Sequence, residues 1–214
     1  MKAIIAKKVG MTRVIDNGKM IGATVLLAEP CVVTQVKTQE KDGYSAVQLG
    51  CGELKNVKKP QLGHLKASQA KVGRNLIEFR VDDLEAAPKL GEEVTVKNFT
   101  AGDILNVTSQ SKGHGFTGTV RRHNFRIGPR GHGGMNQRRP GSIGSTYPQR
   151  VIPGKKMAGQ MGAARVTVKH LEVLDVLPEE NLLVVKGSLP GIKGAQVVIS
   201  ASPRHQVKEE KKDK

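Results

Sequence analysis

From Ile104 to Leu171 the chain runs for 68 residues without one aspartate or glutamate. Along that stretch lie Lys112, Arg121, Arg122, Arg126, Arg130, Arg138, Arg139, Arg150, Lys155, Lys156, Arg165 and Lys169, a charge of +12. The whole chain has 35 Lys and Arg against 19 Asp and Glu, so the other 146 residues hold 23 basic and 19 acidic groups. The sequence is therefore a near-neutral body interrupted by a cationic insertion, and a partner of dense negative charge is the first expectation.

The insertion cannot settle by burying itself. Between Gln110 and Ala164 the apolar side chains are few and scattered, among them Phe116, Val120, Phe125, Ile127, Met135, Ile143, Tyr147 and Ile152. Each ordered residue costs roughly 1–2 kcal/mol of backbone entropy, and a long loop without a core is either functional or disordered. Twelve of the 25 glycines fall here, which lets backbone N–H groups approach phosphate oxygens closely. Arginine outnumbers lysine, and its planar fork bridges phosphates or stacks on bases. Such a Gly- and Pro-rich track suits the irregular interior of folded RNA. DNA would favour a helix or ribbon carried into a groove.

The body reads as dense, short strands. Expected strands are 2–6, 20–27, 31–38, 44–49, 76–81, 93–97, 104–109, 165–176, 181–186 and 195–200, with hairpin turns at Asp16-Asn17-Gly18 and Asp42-Gly43. One helix is expected over Pro60 to Lys71. This density predicts a mainly β fold, a small closed β-barrel with a short helical insertion and a long irregular central extension. The expected partition is a body of 1–109 and 165–202 (with 60–100 a small α+β insertion), an RNA-penetrating extension of 110–164, and a mobile tail of 203–214.

Lysines break the N-terminal apolar run too soon for a signal peptide or a membrane span, and no amphipathic basic helix is visible, so no membrane partner is expected. Cys31 and Cys51 lack a Cys-x-x-Cys partner and read as two small buried hydrophobes of a chain kept in a reducing cytoplasm. His114, His123 and His132 stand at nine-residue steps but have no carboxylate or cysteine in the acid-free stretch to complete a metal or acid/base set. No catalytic residue, metal or cofactor is expected. The glycine spacing of Gly113 to Gly118 resembles a phosphate loop, with Thr119 where lysine would stand. Phe116, Phe125 and Tyr147 divide evenly between stacking on bases and pinning the loop to its own domain. Lys155 to Gly162 reads as a backbone-hugging return strand.

Several segments resemble the bacterial ribosomal protein L-three family. They are Gly115-Phe116-Thr117-Gly118-Thr119-Val120-Arg121-Arg122-His123-Asn124-Phe125, Arg139-Pro140-Gly141-Ser142-Ile143-Gly144 and Gly154-Lys155-Lys156-Met157-Ala158-Gly159-Gln160-Met161-Gly162, with the stretches Ile5 to Thr12 and Asn181 to Gly191. The resemblance implies a barrel of the translation-protein type, direct binding to 23S ribosomal RNA, a role in early subunit assembly, and an extension approaching the peptidyl transferase centre. It also implies neighbours such as ribosomal proteins L-fourteen and L-nineteen. At Ser145-Thr146-Tyr147-Pro148-Gln149-Arg150 the chain departs from the Gln-Asn-Gln-Thr-Pro-Gly of many relatives, so a glutamine modified in some of them has no counterpart.

The residues assigned to RNA contact are the cations Lys112, Arg121, Arg122, Arg126, Arg130, Arg138, Arg139, Arg150, Lys155, Lys156 and Arg165. With them go the rings of His114, Phe116, His123, Phe125, His132 and Tyr147 and the polar Ser142 and Gln160. Two other classes compete with a structural ribosomal role: a nuclease using His123 and His132, which needs a carboxylate or metal from the body, and a free RNA chaperone found outside ribosomes.

Overall fold

The computed structural model describes residues 1–16, 18–53, 56, 58–68, 72–82 and 87–202. Asn17 of the first turn, the end of the expected helix at 69–71 and the expected mobile tail at 203–214 lie outside the described residues. The chain separates into two units, one of Met1–Gln110 with the chain from Arg165, the other of Ser111–Ala164.

In the first unit the strands are β1 (Ala3–Asp16), β2 (Lys19–Leu27), β3 (Cys31–Lys37), β4 (Ala46–Glu53), β5 (Val72–Arg80), β6 (Glu93–Val94) and β7 (Ile104–Gln110). Two short helices are interspersed, α1 (Gln39–Asp42) and α2 (Lys59–Leu65). The second unit holds β8 (Phe116–Thr117), α3 (Thr119–His123) and β9 (Gly159–Gln160). The first unit then resumes with β10 (Arg165–Leu177), β11 (Leu182–Lys186) and β12 (Gln196–Ala201).

Six strands hydrogen-bond in the order β1-β12-β7-β10-β11-β2, and β2 pairs back onto β1, so the ring closes on itself. Each of the six strands therefore has two partners within the ring. Two long strands make it possible. β1 pairs with β12 through its first half and with β2 through its second, with a bulge between Lys8 and Gly10. β10 pairs with β7 as far as Glu172, with a bulge between Val168 and Leu171, and with β11 from Val173 onward. A bulge bends a strand and strengthens its twist, which is what a strand serving two neighbours needs.

Alternation along the strands fills the ring. Ile4 faces Ile199, which faces Val107, and Leu26 faces Leu183. All five side chains are fully buried, each worth about 1.5–3 kcal/mol of transfer free energy. Lys8 also sits inside, nearly sealed, with its ammonium donating to the carbonyls of Leu189 at 2.7 Å and Gly191 at 3.2 Å. Four successive residues, Ala3 to Ala6, are buried, so both faces of β1 are covered there. The core they join includes Val33, Val47, Leu49 and Phe79 from a second sheet of order β5-β4-β3-β6.

The segment that carries that second sheet corrects four expectations. Residues 31–38 and 44–49 pair with β5 and β6 and do not join the ring, so the inserted α+β part begins at β3 and not near residue 60. The reason is register: β3 and β4 are hairpin neighbours, and β5 completes their buried face through Val47 opposite Phe79 and Leu49 opposite Ile77. The expected strand at 93–97 stops at Val94 and turns into a 3-10 helix at Val96–Asn98. The expected helix begins at Lys59 and ends at Leu65, held by a capping box between Lys58 and Gln61. Asp42-Gly43, expected as a plain turn, ends the one-turn α1, with Gly43 in the left-handed region at φ 78°.

Asp103 ties the start of β7 to the N-terminus. Its carboxylate accepts from Thr100 N–H at 3.0 Å, from Thr100 Oγ1 at 2.9 Å and from the Lys2 ammonium at 3.2 Å. Burial pushes this carboxyl up, but the Thr100 donors and Lys2 together bring it below its ordinary value of 3.8. A depressed folded-state value gives stability that is present above 3.8 and lost as pH falls through the folded value. Asp103→Ala should cost about 2–3 kcal/mol at neutral pH by leaving buried donors unmatched. In denaturant melts the difference from the native chain should shrink as pH drops below 3.8, and a constant difference would refute the assignment.

Candidate nucleic-acid interface

Unit Ser111–Ala164 leaves the body after Gln110 and returns at Arg165, and these two residues are paired across β7 and β10. Outgoing and returning chains continue that pairing. Ser111 N–H donates to the Ala164 carbonyl at 2.8 Å, His114 N–H to Met161 at 2.9 Å and Met161 N–H to Gly115 at 3.0 Å. β8 then pairs with β9, Phe116 opposite Gln160 and Thr117 opposite Gly159. Of the return strand expected over 155–162, only Gly159–Gln160 is paired as a strand, β9. Close approach requires glycine at position 162, which has φ +71° and where a Cβ would strike the Lys112 carbonyl.

The helix α3, which the sequence did not announce, follows β8 and ends on Asn124 in the left-handed region at φ 58°. It carries no apolar stripe. It is clasped by a main-chain atom 34 residues away in sequence: the Met157 carbonyl accepts from Arg122 Nη1 at 2.8 Å and meets His123 Nε2 at 3.0 Å. Arg121 Nη2 lies 3.2 Å from His114 Nδ1, and the Phe125 ring sits 6.1 Å from that of His123. Thr117 and Thr119 are buried, and Thr119 Oγ1 is the one buried side-chain oxygen or nitrogen without a hydrogen-bond partner among the described residues. This neck has its own order, contrary to the expectation that nothing in the insertion could settle by itself. Backbone pairing and two charged side chains supply it, so counting apolar residues could not reveal it.

Beyond the neck the picture changes. Every residue from 129 to 156 is exposed. Arg130, Arg138, Arg139, Arg150, Lys155 and Lys156 all lie in this run, with His132, Ser142 and Tyr147, the last 84% exposed. What order it has is local: Gly128 N–H donates to the Gln137 carbonyl at 2.9 Å, Gln137 Nε2 to the Arg130 carbonyl at 3.3 Å, and Ser142 Oγ to the Gly144 carbonyl at 2.9 Å. Met135 at 88% and Ile152 at 62% are exposed apolar groups.

The residues assigned from sequence thus divide. His114, Arg121, Arg122, His123 and Phe125 are brought together as the neck clasp. Lys112, Phe116 (81% exposed), Arg126 and Gln160 are exposed on or beside it, and the remaining cations are spread along the open run. Arg165 is exposed but belongs to β10 of the first unit. The three evenly spaced histidines do not converge: two have separate neck partners, and His132 is exposed. Among the described residues no group of three His, Cys, Asp or Glu is placed to hold a metal ion. No described helix is long and apolar enough to cross a membrane. The element missed from sequence was the Met157 carbonyl, for which a backbone atom gives no residue signal.

A family model described as ribosomal protein L3 matches residues 40–180. A protein of Carboxydothermus hydrogenoformans named large ribosomal subunit protein uL3 is 48% identical over 92% of this chain and 96% of its own length. One of the same name from Brachyspira pilosicoli is 45% identical over 97% of each chain. A Phaeodactylum tricornutum protein named large ribosomal subunit protein uL3c is 45% identical over 89% of this chain and 94% of its own. The matched residues take in β4, β5 and β6 of the second sheet, the whole acid-free stretch and β10, and with near-half identity over almost the full length the chain belongs to the ribosomal protein L3 family.

Proposed function

We propose that this chain is a structural constituent of the large ribosomal subunit in the cytoplasm, binding 23S ribosomal RNA directly, supporting early subunit assembly and sending residues 110–164 toward the peptidyl transferase centre. Members of the ribosomal protein L3 family are ribosome components and not enzymes. The observation that carries the RNA reading is the run from 129 to 156: wholly exposed, six cations, no acid, and apolar side chains left to solvent. A polyanion supplies the missing counter-charge, and irregular RNA supplies surfaces for Tyr147 and Phe116 to stack on.

In this reading the closed ring is the small barrel of the translation-protein type, and it serves as the fixed base. The neck clasp then holds the outgoing and returning strands together so that only the far run must be ordered by RNA, which lowers the entropy cost of binding. Proteins L-fourteen and L-nineteen are the expected neighbours of the body.

Sucrose-gradient fractionation of cell extract tests the assignment: the protein should travel with the large subunit at moderate and at high salt. Limited proteolysis of the purified chain adds a second readout, with cutting concentrated between 129 and 156 and suppressed by 23S RNA. A protein found mainly in the soluble fraction, or equal protease resistance with and without RNA, would overturn it.

A further inference from the structure

β3 and β4 run antiparallel with Val32 opposite Gly50 and Val33 opposite Leu49. Continued by one step, that register sets Cys31 opposite Cys51. Each cysteine is two residues from Val33 or Leu49 along its strand, so both side chains lie on the face those residues bury. Directly opposed residues of an antiparallel pair have Cα atoms about 4.5–5.5 Å apart, within the span of about 4.4–6.8 Å that a disulfide bridges. Both thiols are free, and they lie close enough to perturb each other's titration.

The two differ in access. Cys31 is fully enclosed, its sulfur 3.6 Å from the Ile5 carbonyl and 3.5 Å from that of Glu29. Cys51 is 7% exposed and lines a cavity of about 380 Å³ together with Lys7, Glu29, Asn75 and Gln196. A reagent entering by that cavity meets Cys51 first. Two cysteines acting only as small packing groups could sit anywhere on this face; direct opposition with one of the pair at a cavity wall is the arrangement that bond formation needs.

We propose that Cys31 and Cys51 form a peroxide-reactive dithiol, a reversible modification site in which Cys51 is the nucleophile and Cys31 the resolving thiol. The Cys51 thiolate attacks one oxygen of hydrogen peroxide; an S–O bond forms, the O–O bond breaks, and the departing hydroxide takes up a proton as water. The Cys31 sulfur then attacks the sulfenic sulfur of Cys51. An S–S bond forms, the S–O bond breaks, and the hydroxide released combines with the Cys31 proton. Two thiols lose two electrons and the peroxide is reduced to two waters. A small thiol admitted by the cavity reverses the change by exchange at Cys51.

Proton placement agrees with these roles. The neighbouring Cys31 thiol holds Cys51 below its ordinary value against the opposing effects of burial and Glu29. The Cys51 thiol and burial together push Cys31 up, which keeps its proton on. The first thiolate therefore forms on the reachable sulfur.

The test uses the full reduced chain, treated with hydrogen peroxide, alkylated in denaturant and weighed without reductant. Both thiols should disappear together, with a mass lower by two hydrogens, no chain dimer, and a peptide pair joining residues 31 and 51. Cys31→Ser should stop at a sulfenic acid on Cys51, trapped by a cyclic dione. Cys51→Ser should leave Cys31 oxidised at least about tenfold more slowly than Cys51 in the other variant. Persistence of both thiols, a disulfide formed only between chains, or equal rates in the two variants would each overturn the proposal. The native-chain measurement stands even if a variant fails to fold.

Discussion

Replacing Arg130, Arg138, Arg139, Arg150, Lys155 and Lys156 together by serine should remove about half of the salt dependence of RNA binding. Six phosphate contacts make affinity fall by about 10³ between 50 and 200 mM salt; the variant should lose that much of the fall the native chain shows. These six are the right set because they are exposed in the open run. Arg121 and Arg122, equally basic, are engaged with His114 and the Met157 carbonyl, so changing them would disturb the neck along with the charge. Exposed substitutions of this kind shift stability by about 0.5 kcal/mol or less each, so the melting temperature of the variant should stay close to native. Filter binding to a 23S fragment across a salt series gives the slope directly. An unchanged slope would place the phosphate contacts elsewhere on the molecule.

Gly162→Ala should open the neck. The new Cβ would strike the Lys112 carbonyl and lie 3.2 Å from Gly113 Cα, and neither is the movable end of a side chain. The left-handed backbone at φ +71° adds about 1–2 kcal/mol for any residue with a Cβ. Separating the strands also breaks the His114 and Met161 amide hydrogen bonds, each worth about 1 kcal/mol. The expected total is about 3–5 kcal/mol, confined to the neck. Hydrogen exchange should show protection lost at the His114 and Met161 amides and kept at Val107 and Ile199, with RNA affinity reduced at least about tenfold. Gly113→Ala is the matched control, because its Cβ would meet only the Ala163 Cβ at an ordinary 3.7 Å. Retained protection at Met161 in the Gly162 variant would contradict this account.

What the sequence disclosed was whatever depends on near neighbours. The Val- and Thr-rich runs at 31–37 and 104–110 are strands, and the acid-free stretch brackets the second unit, overrunning it by seven residues at each end. Partner choice was not legible. β7 lies between β12 and β10, and β1 divides its length between β12 and β2; these pairings join residues far apart in sequence whose local patterns are interchangeable. For the same reason 31–38 and 44–49 looked like ring strands, since alternation marks a buried face without saying which sheet buries it. α3 escaped notice because five residues cannot show a helical stripe and its clasp is a carbonyl. Cys31 and Cys51 were scanned for short-range spacing, whereas their relation exists only through strand register.

The facing positions of Gln110 and Arg165 make all of Ser111–Ala164, topologically, one oversized hairpin loop. Its length is then nearly decoupled from the scaffold, because doubling a flexible loop adds only about 0.6 kcal/mol of closure entropy. An Asn-Gly dipeptide spliced between Gln110 and Arg165 would close the same two strands. A lineage could thus lengthen, trim or re-letter the insertion while the strands that close it stayed as they were.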